Sequence, residues 1–117
     1  MKKGGKLIIT IPNTDSLWEK KYKENWFGYD VPRHLYNYNK KNISIFLKKF
    51  GFKINKIRVY DSPYMLAGSL KFELIARTGK KKHAIVYSPL TKILFAPISL
   101  IVSYLGKGSL MEIECEK

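Results

Sequence analysis

The chain has 117 residues, enough for one small domain that buries about two-thirds of its unfolded surface. Its 45% hydrophobic and 14% aromatic content excludes a disordered chain, and the lone cysteine, Cys115, excludes an internal disulfide framework and fits a reducing compartment. The formal charge of +13, from 22 basic against 9 acidic side chains, invites a nucleic-acid reading, but only Arg33, Arg58 and Arg77 carry the planar guanidinium fork, and the Lys residues are scattered apart from Lys80-Lys81-Lys82. The charge reads first as a solvated basic surface, and second as a site for a polyanion or acidic lipid.

In chain order, Lys6 to Ile11 is a near-continuous apolar run of the kind that fits a strand buried on both faces. Pro12 stops it and Asn13 sits at its carboxyl end, where open parallel sheets bind ligands. The preceding Lys pair and this run imitate a signal peptide, yet five apolar residues are too few for one, so a cytoplasmic location is expected. Thr14 to Tyr29 reads as a loop or short helix, capped by Asp15 or Ser16, with Leu17, Trp18 and Tyr22 on one face. Trp26, Phe27 and Tyr29 cluster around Gly28.

The next helix is the clearest element. Ile43, Phe46, Leu47 and Phe50 recur at helical spacing, Asn39 is in place as N-cap, Gly51 suits a left-handed position after the helix, and Phe52 can touch Leu47 in a Schellman ending. Lys53 to Tyr60 then forms a strand with Ile57 and Val59 on one face and Ile54 on the other, closed by Asp61-Ser62-Pro63. From Tyr64 to Arg77 a helical stripe of Leu66, Leu70 and Leu74 competes with a strand-like alternation at Leu70, Phe72 and Leu74; the length of the segment favours a helix. Ser88 and Pro89 open a further helix over Leu90 to Leu105, interrupted by Pro97. Gly106 to Gly108 turns the chain into a last strand, Ser109 to Glu116, with Met111, Ile113 and Cys115 on an apolar face and Glu112, Glu114 and Glu116 on an acidic one.

The segment Ile93 to Leu105 carries only Ser99 and Ser103 as strongly polar side chains, yet it falls short of the roughly 20 residues that span a bilayer. It reads as a helix packed on the sheet, with a lid over an apolar substrate or a face dipping into a membrane surface as alternatives.

The order of these signals resembles the C-terminal half of class I S-adenosylmethionine-dependent methyltransferases of the small-molecule type. The resemblance rests on Lys3-Gly4-Gly5-Lys6 leading into the first strand, Pro12-Asn13, Trp26, Asp30-Val31-Pro32-Arg33-His34-Leu35, and the helix ending in Gly51-Phe52 before a strand. It implies a single α/β domain with a partial Rossmann-like methyltransferase fold: about three strands with flanking helices, the last strand antiparallel between the family's fifth and sixth, and the N-terminal cofactor-binding half absent. The Gly-rich strand-to-helix turn and the acid that hold S-adenosylmethionine in the family have no counterpart here; Gly106-Lys107-Gly108 reads as a turn. No cofactor is therefore expected to bind this chain alone, and it is expected to be inactive alone. A separately encoded N-terminal half, or a second copy meeting an exposed sheet edge, are the expected partners.

The sulfonium of S-adenosylmethionine supplies an activated methyl group, so such a site needs alignment, exclusion of water and at most one base. His34 has the chemistry of that base, and equally of a loop-fixing hydrogen bonder. Arg33 suits a substrate carboxylate or phosphate, or a pairing with Asp30 or Asp15. Trp18 and Trp26 offer surface to a planar or apolar acceptor, or belong to the core. Asn13 either lines the site or caps the following turn. Two separated His residues and one Cys make no metal site, and no nucleophilic triad is legible. The alternative function is a noncatalytic binding or membrane-surface module derived from the same half-domain.

Overall fold

The computed structural model describes residues 2–29, 36–79 and 88–117. Three strands form one sheet: β1 (Lys6–Pro12), β2 (Lys53–Tyr60) and β3 (Leu110–Glu116), in the order β1-β3-β2. The central β3 runs antiparallel to both neighbours, so β1 and β2 point the same way. The helices are α1 (Leu17–Tyr22), α2 (Lys40–Lys49), α3 (Pro63–Thr78) and α4 (Pro89–Tyr104), with 3-10 turns at Lys23–Asn25 and Phe27–Tyr29. The chain is thus an α/β domain of three strands with flanking helices.

Alternation decides which face of the sheet is apolar. Met111, Ile113 and Cys115 of β3 are buried and receive Ile43 and Leu47 of α2, with Leu7, Ile9 and Ile11 of β1 beside them. On the opposite face Arg58 bonds Glu112 at 2.7 Å, and Lys53 lies 3.6 Å from Glu116. These exposed pairs add little stability but match the charges of adjacent strands.

Three expectations about which side chains face inward are corrected by the structure. β1 is not buried on both faces: Leu7, Ile9 and Ile11 turn inward, whereas Ile8 is 65% exposed, because α2 covers only one side of this strand among the described residues. Ile54 joins Ile57 and Val59 on the inner face, since β2 skips a residue between the pairs Ile54–Cys115 and Lys56–Glu114. Asn55 takes no place in the register, and this bulge resets the alternation. Leu17 is exposed, leaving Trp18 and Tyr22 as the buried face of α1.

α2 follows its sequence signals at both ends. Asn39 accepts from the Asn42 amide, and Asn42 returns the bond, forming a capping box. At the other end Gly51 adopts φ +81°, its amide donates to Lys48 and the Phe52 amide donates to Leu47, which is the Schellman pattern. Phe46 and Phe50 lie on the rim of the helix instead of in the core, their rings tilted at 51° with centroids 4.9 Å apart, and Tyr38 lies 6.0 Å from Phe46.

Residues 64–77 are helical, within α3, which is capped by Ser62 and ended by Gly79 in the left-handed region. α4 starts at the Ser88 cap and runs unbroken through Pro97, although that proline removes the bond to the Ile93 carbonyl. Trp18, Tyr22, Trp26, Met65, Leu66 and Val102 form a second apolar cluster, with Phe27, Tyr29, Phe95 and Leu110 around it. Two clusters make a longer body than one would. The chain measures 51 × 29 × 22 Å, and its radius of gyration, 15.9 Å, exceeds the roughly 13 Å of a compact domain this size.

Candidate functional site at the carboxyl ends of the strands

Because β1 and β2 are parallel, their carboxyl ends meet where β3 begins. Asn13 is buried there, its amide donating to the Ser109 carbonyl at 2.8 Å and its Nδ2 to the Gly108 carbonyl at 3.0 Å. Its Oδ1 accepts from the Asp15 amide at 3.1 Å. That last bond is the side-chain turn that starts the approach to α1. Of the two roles open to Asn13, its hydrogen bonds occupy the structural one.

Asp61, at the end of β2, is the residue that sequence reasoning passes over as a mere strand terminator. It is 8% exposed, and each of its carboxylate oxygens has a donor. Its Oδ2 accepts from Trp18 Nε1 at 2.8 Å, its Oδ1 from the Ser109 amide at 3.1 Å, and its own amide donates to Ser103 Oγ at 2.7 Å. Through its carboxylate and its own amide, this one residue ties α1, β2, the start of β3 and α4 together. Asp61-Ser62-Pro63 carries a turn signal but no sign of a distant indole partner.

Close approach at this junction requires glycine. A Cβ on Gly108 would overlap the Tyr60 carbonyl and the Asp61 amide, so the turn that begins at Gly106, φ +68°, can enter β3 only without a side chain there.

Trp18 and Trp26 are both buried in the helical cluster, 7% and 1% exposed, which leaves almost no indole surface to an acceptor in this arrangement. Trp26 meets Tyr29 edge to face at 5.0 Å, lies against Gly28, and its Nε1 has no partner among the described residues. Tyr29 in turn donates to Glu19 Oε1 at 2.6 Å, and that bond, then burial, pushes its hydroxyl pKa up to about 12. Arg33 and His34 lie outside the described residues, together with the rest of residues 30–35. Asn13, Trp18 and Asp61 are therefore brought together, while Trp26 sits deeper in the helical cluster.

A groove of about 270 Å³ opens between α1 and α3, lined by Lys21, Tyr22, Leu70, Glu73, Leu74 and Arg77. Glu73 pairs with Arg77 at 2.7 Å. Burial, and then the Glu73 charge, raises the pKa of the Tyr22 hydroxyl. Its size lies just under that of ordinary small-molecule pockets.

The bonds at the strand ends also bear on S-adenosylmethionine. Ribose hydroxyls need an acceptor with free lone pairs in reach, and amides must face the cofactor. Here the Asp61 and Asn13 side chains are buried and bonded within the chain, so neither is presented to a cofactor among the described residues. Among the described residues no cluster of three or more His, Cys, Asp or Glu side chains could hold a metal ion.

No protein-family model, characterised protein or solved structure matches the chain.

Proposed function

We propose that the chain is the acceptor-side portion of an S-adenosylmethionine-dependent methyltransferase acting on a small molecule, and that it binds no cofactor and transfers no methyl group alone. The observation that carries this reading is the strand order. A last strand antiparallel between two mutually parallel strands, reached from β2 through helices, is the arrangement that the resemblance implies for the end of such a domain. The Schellman ending of α2 at Gly51-Phe52 and the position of Asn13 at the end of β1 agree with it.

In this reading the chain supplies shape and protonation control to the acceptor, while the amides and acid that hold the cofactor come from a complementary N-terminal half. His34 is the candidate base and Arg33 the candidate acceptor ligand; positioning and one base suffice for this chemistry.

Calorimetric titration of the 117-residue chain with S-adenosylmethionine should show no saturable binding, and fusion to the N-terminal half of a class I methyltransferase should create it. A micromolar Kd for the chain alone overturns the claim of cofactor loss. A folded fusion that still fails to bind overturns the methyltransferase reading. In an active fusion, His34→Gln should lower turnover by roughly 10²- to 10⁴-fold with cofactor affinity kept. Unchanged turnover would remove His34 from catalysis.

A further inference from the structure

Helix α4 turns its apolar side outward. Leu90, Ile93, Leu94, Ile98, Leu100, Ile101, Tyr104 and Leu105 are between 41% and 92% exposed, while Phe95, Ser99, Val102 and Ser103 face the protein. At about 100° per residue the exposed positions fill one continuous arc of about 160°. A soluble helix normally shows water its polar side. The stripe is also longer than the scattered exposed apolar residues found on any protein surface.

The charges near this stripe in sequence are of one sign. Between Glu73 and Glu112 the sequence holds no acidic residue, but it holds Arg77, Lys80, Lys81, Lys82, Lys92 and Lys107. Lys92 projects from the inner side of α4, 5.8 Å over the ring of Tyr64 on α3, whereas Lys107 is exposed just beyond the helix end. A second copy laid on this face would bring one strongly basic chain, formal charge +13, against another. An anionic surface would not.

We propose that α4 is a membrane-docking helix that lies in the plane of an anionic lipid surface, with its outward apolar arc in the headgroup–acyl boundary, Lys107 at the phosphates and the +13 formal charge of the chain drawing it to the surface. The length of the helix agrees. Its 16 residues rise about 24 Å, short of a bilayer core, and no helix among the described residues is long and apolar enough to cross a membrane. Tyr104, 92% exposed at the end of the arc, has the amphipathic ring suited to the interface. Burial of an apolar face combined with attraction to anionic lipid is the general basis of such binding. The inference stands apart from methyl transfer, because its readout needs neither cofactor nor acceptor.

The test is sedimentation of the full chain with vesicles of phosphatidylcholine alone or with about one-third phosphatidylserine. Binding should favour the phosphatidylserine vesicles by at least about tenfold and weaken as salt screens the charges. Ile93→Glu and Ile101→Glu replace exposed side chains, so the fold should remain, as checked by circular dichroism, while vesicle binding falls by at least about tenfold. Lys107→Gln should reduce the preference for anionic over neutral vesicles. Failure to sediment with phosphatidylserine vesicles overturns the proposal. So does equal binding by folded Ile101→Glu, which would leave only nonspecific charge attraction, and so does an α4-dependent dimer that excludes vesicles.

Discussion

Trp18 Nε1 and Asp61 Oδ2 lie 2.8 Å apart across 43 residues of sequence, and their bond fixes α1 against the end of β2. Trp18→Phe keeps the apolar bulk but leaves a buried carboxylate oxygen without its donor, at a cost of about 1–3 kcal/mol. Asp61→Asn should cost at least as much, since an amide turned to keep the Ser109 bond points its NH2 at the indole NH. Urea denaturation of both single variants and the double variant should show a coupling of about 0.5–3 kcal/mol. Strict additivity would mean that the two side chains do not act together.

Gly108 and Gly51 make a contrasting pair. Gly51→Ala places a side chain at φ +81° with open space around it, so its effect should stay near about 1 kcal/mol. Gly108→Ala meets the Tyr60 backbone, which cannot rotate away. The larger loss is expected at Gly108, exceeding about 2 kcal/mol in chemical denaturation. A reversed order would contradict the packing of β3 against the end of β2.

Tyr29 gives a pH dependence of known sign. Its hydroxyl pKa is raised from 10.0 to about 12 by the hydrogen bond to Glu19, by burial and by the Glu19 charge. Below pH 10 both folded and unfolded states keep the proton, and this contribution to stability is fully present. Between about pH 10 and 12 the unfolded chain loses the proton while the fold retains it, so stability falls as pH rises through that window. The wild-type chain should lose more stability there than Tyr29→Phe, measured by urea midpoint at each pH. Parallel curves would mean that the bond to Glu19 does not hold the proton.

β1 pairs with β3 on one side, and on its other side no strand is paired to it among the described residues. An apolar edge with free backbone groups recruits other chains. The chain alone should therefore dimerise or aggregate on concentration, and, on the function proposed above, fusion to the N-terminal half of a class I methyltransferase should suppress this. Light scattering over a dilution series, with amide exchange over residues 7–11, measures both. A stable monomer protected at every one of those amides would show that the edge is covered within the chain itself.

Periodicity and capping signals made much of the fold legible. The Asn39 cap, the Gly51-Phe52 ending and the two-faced β3 all rest on local rules that the structure obeys. What escaped depends on neighbours. The inward turn of Ile54 follows from a bulge at Asn55, which composition does not announce, and the exposure of Ile8 follows from which face α2 covers. Asp61 was hidden for the same reason: its partners come from positions 18, 103 and 109, and a turn motif says nothing about distant donors. Asn13 was legible by its position at a strand end, but the direction of its amide was not, because Gly108 lies 95 residues away.

The two apolar clusters have a consequence for how the chain melts. The sheet and α2 form one unit and the helices around Trp26 form another, and the polar junction of Asn13, Asp61 and Ser109 is one place where they are joined. Cooperativity between them then depends in part on that junction. Loosening it lets each half open at its own free energy, so a substitution there can broaden the thermal transition even where it removes no apolar contact.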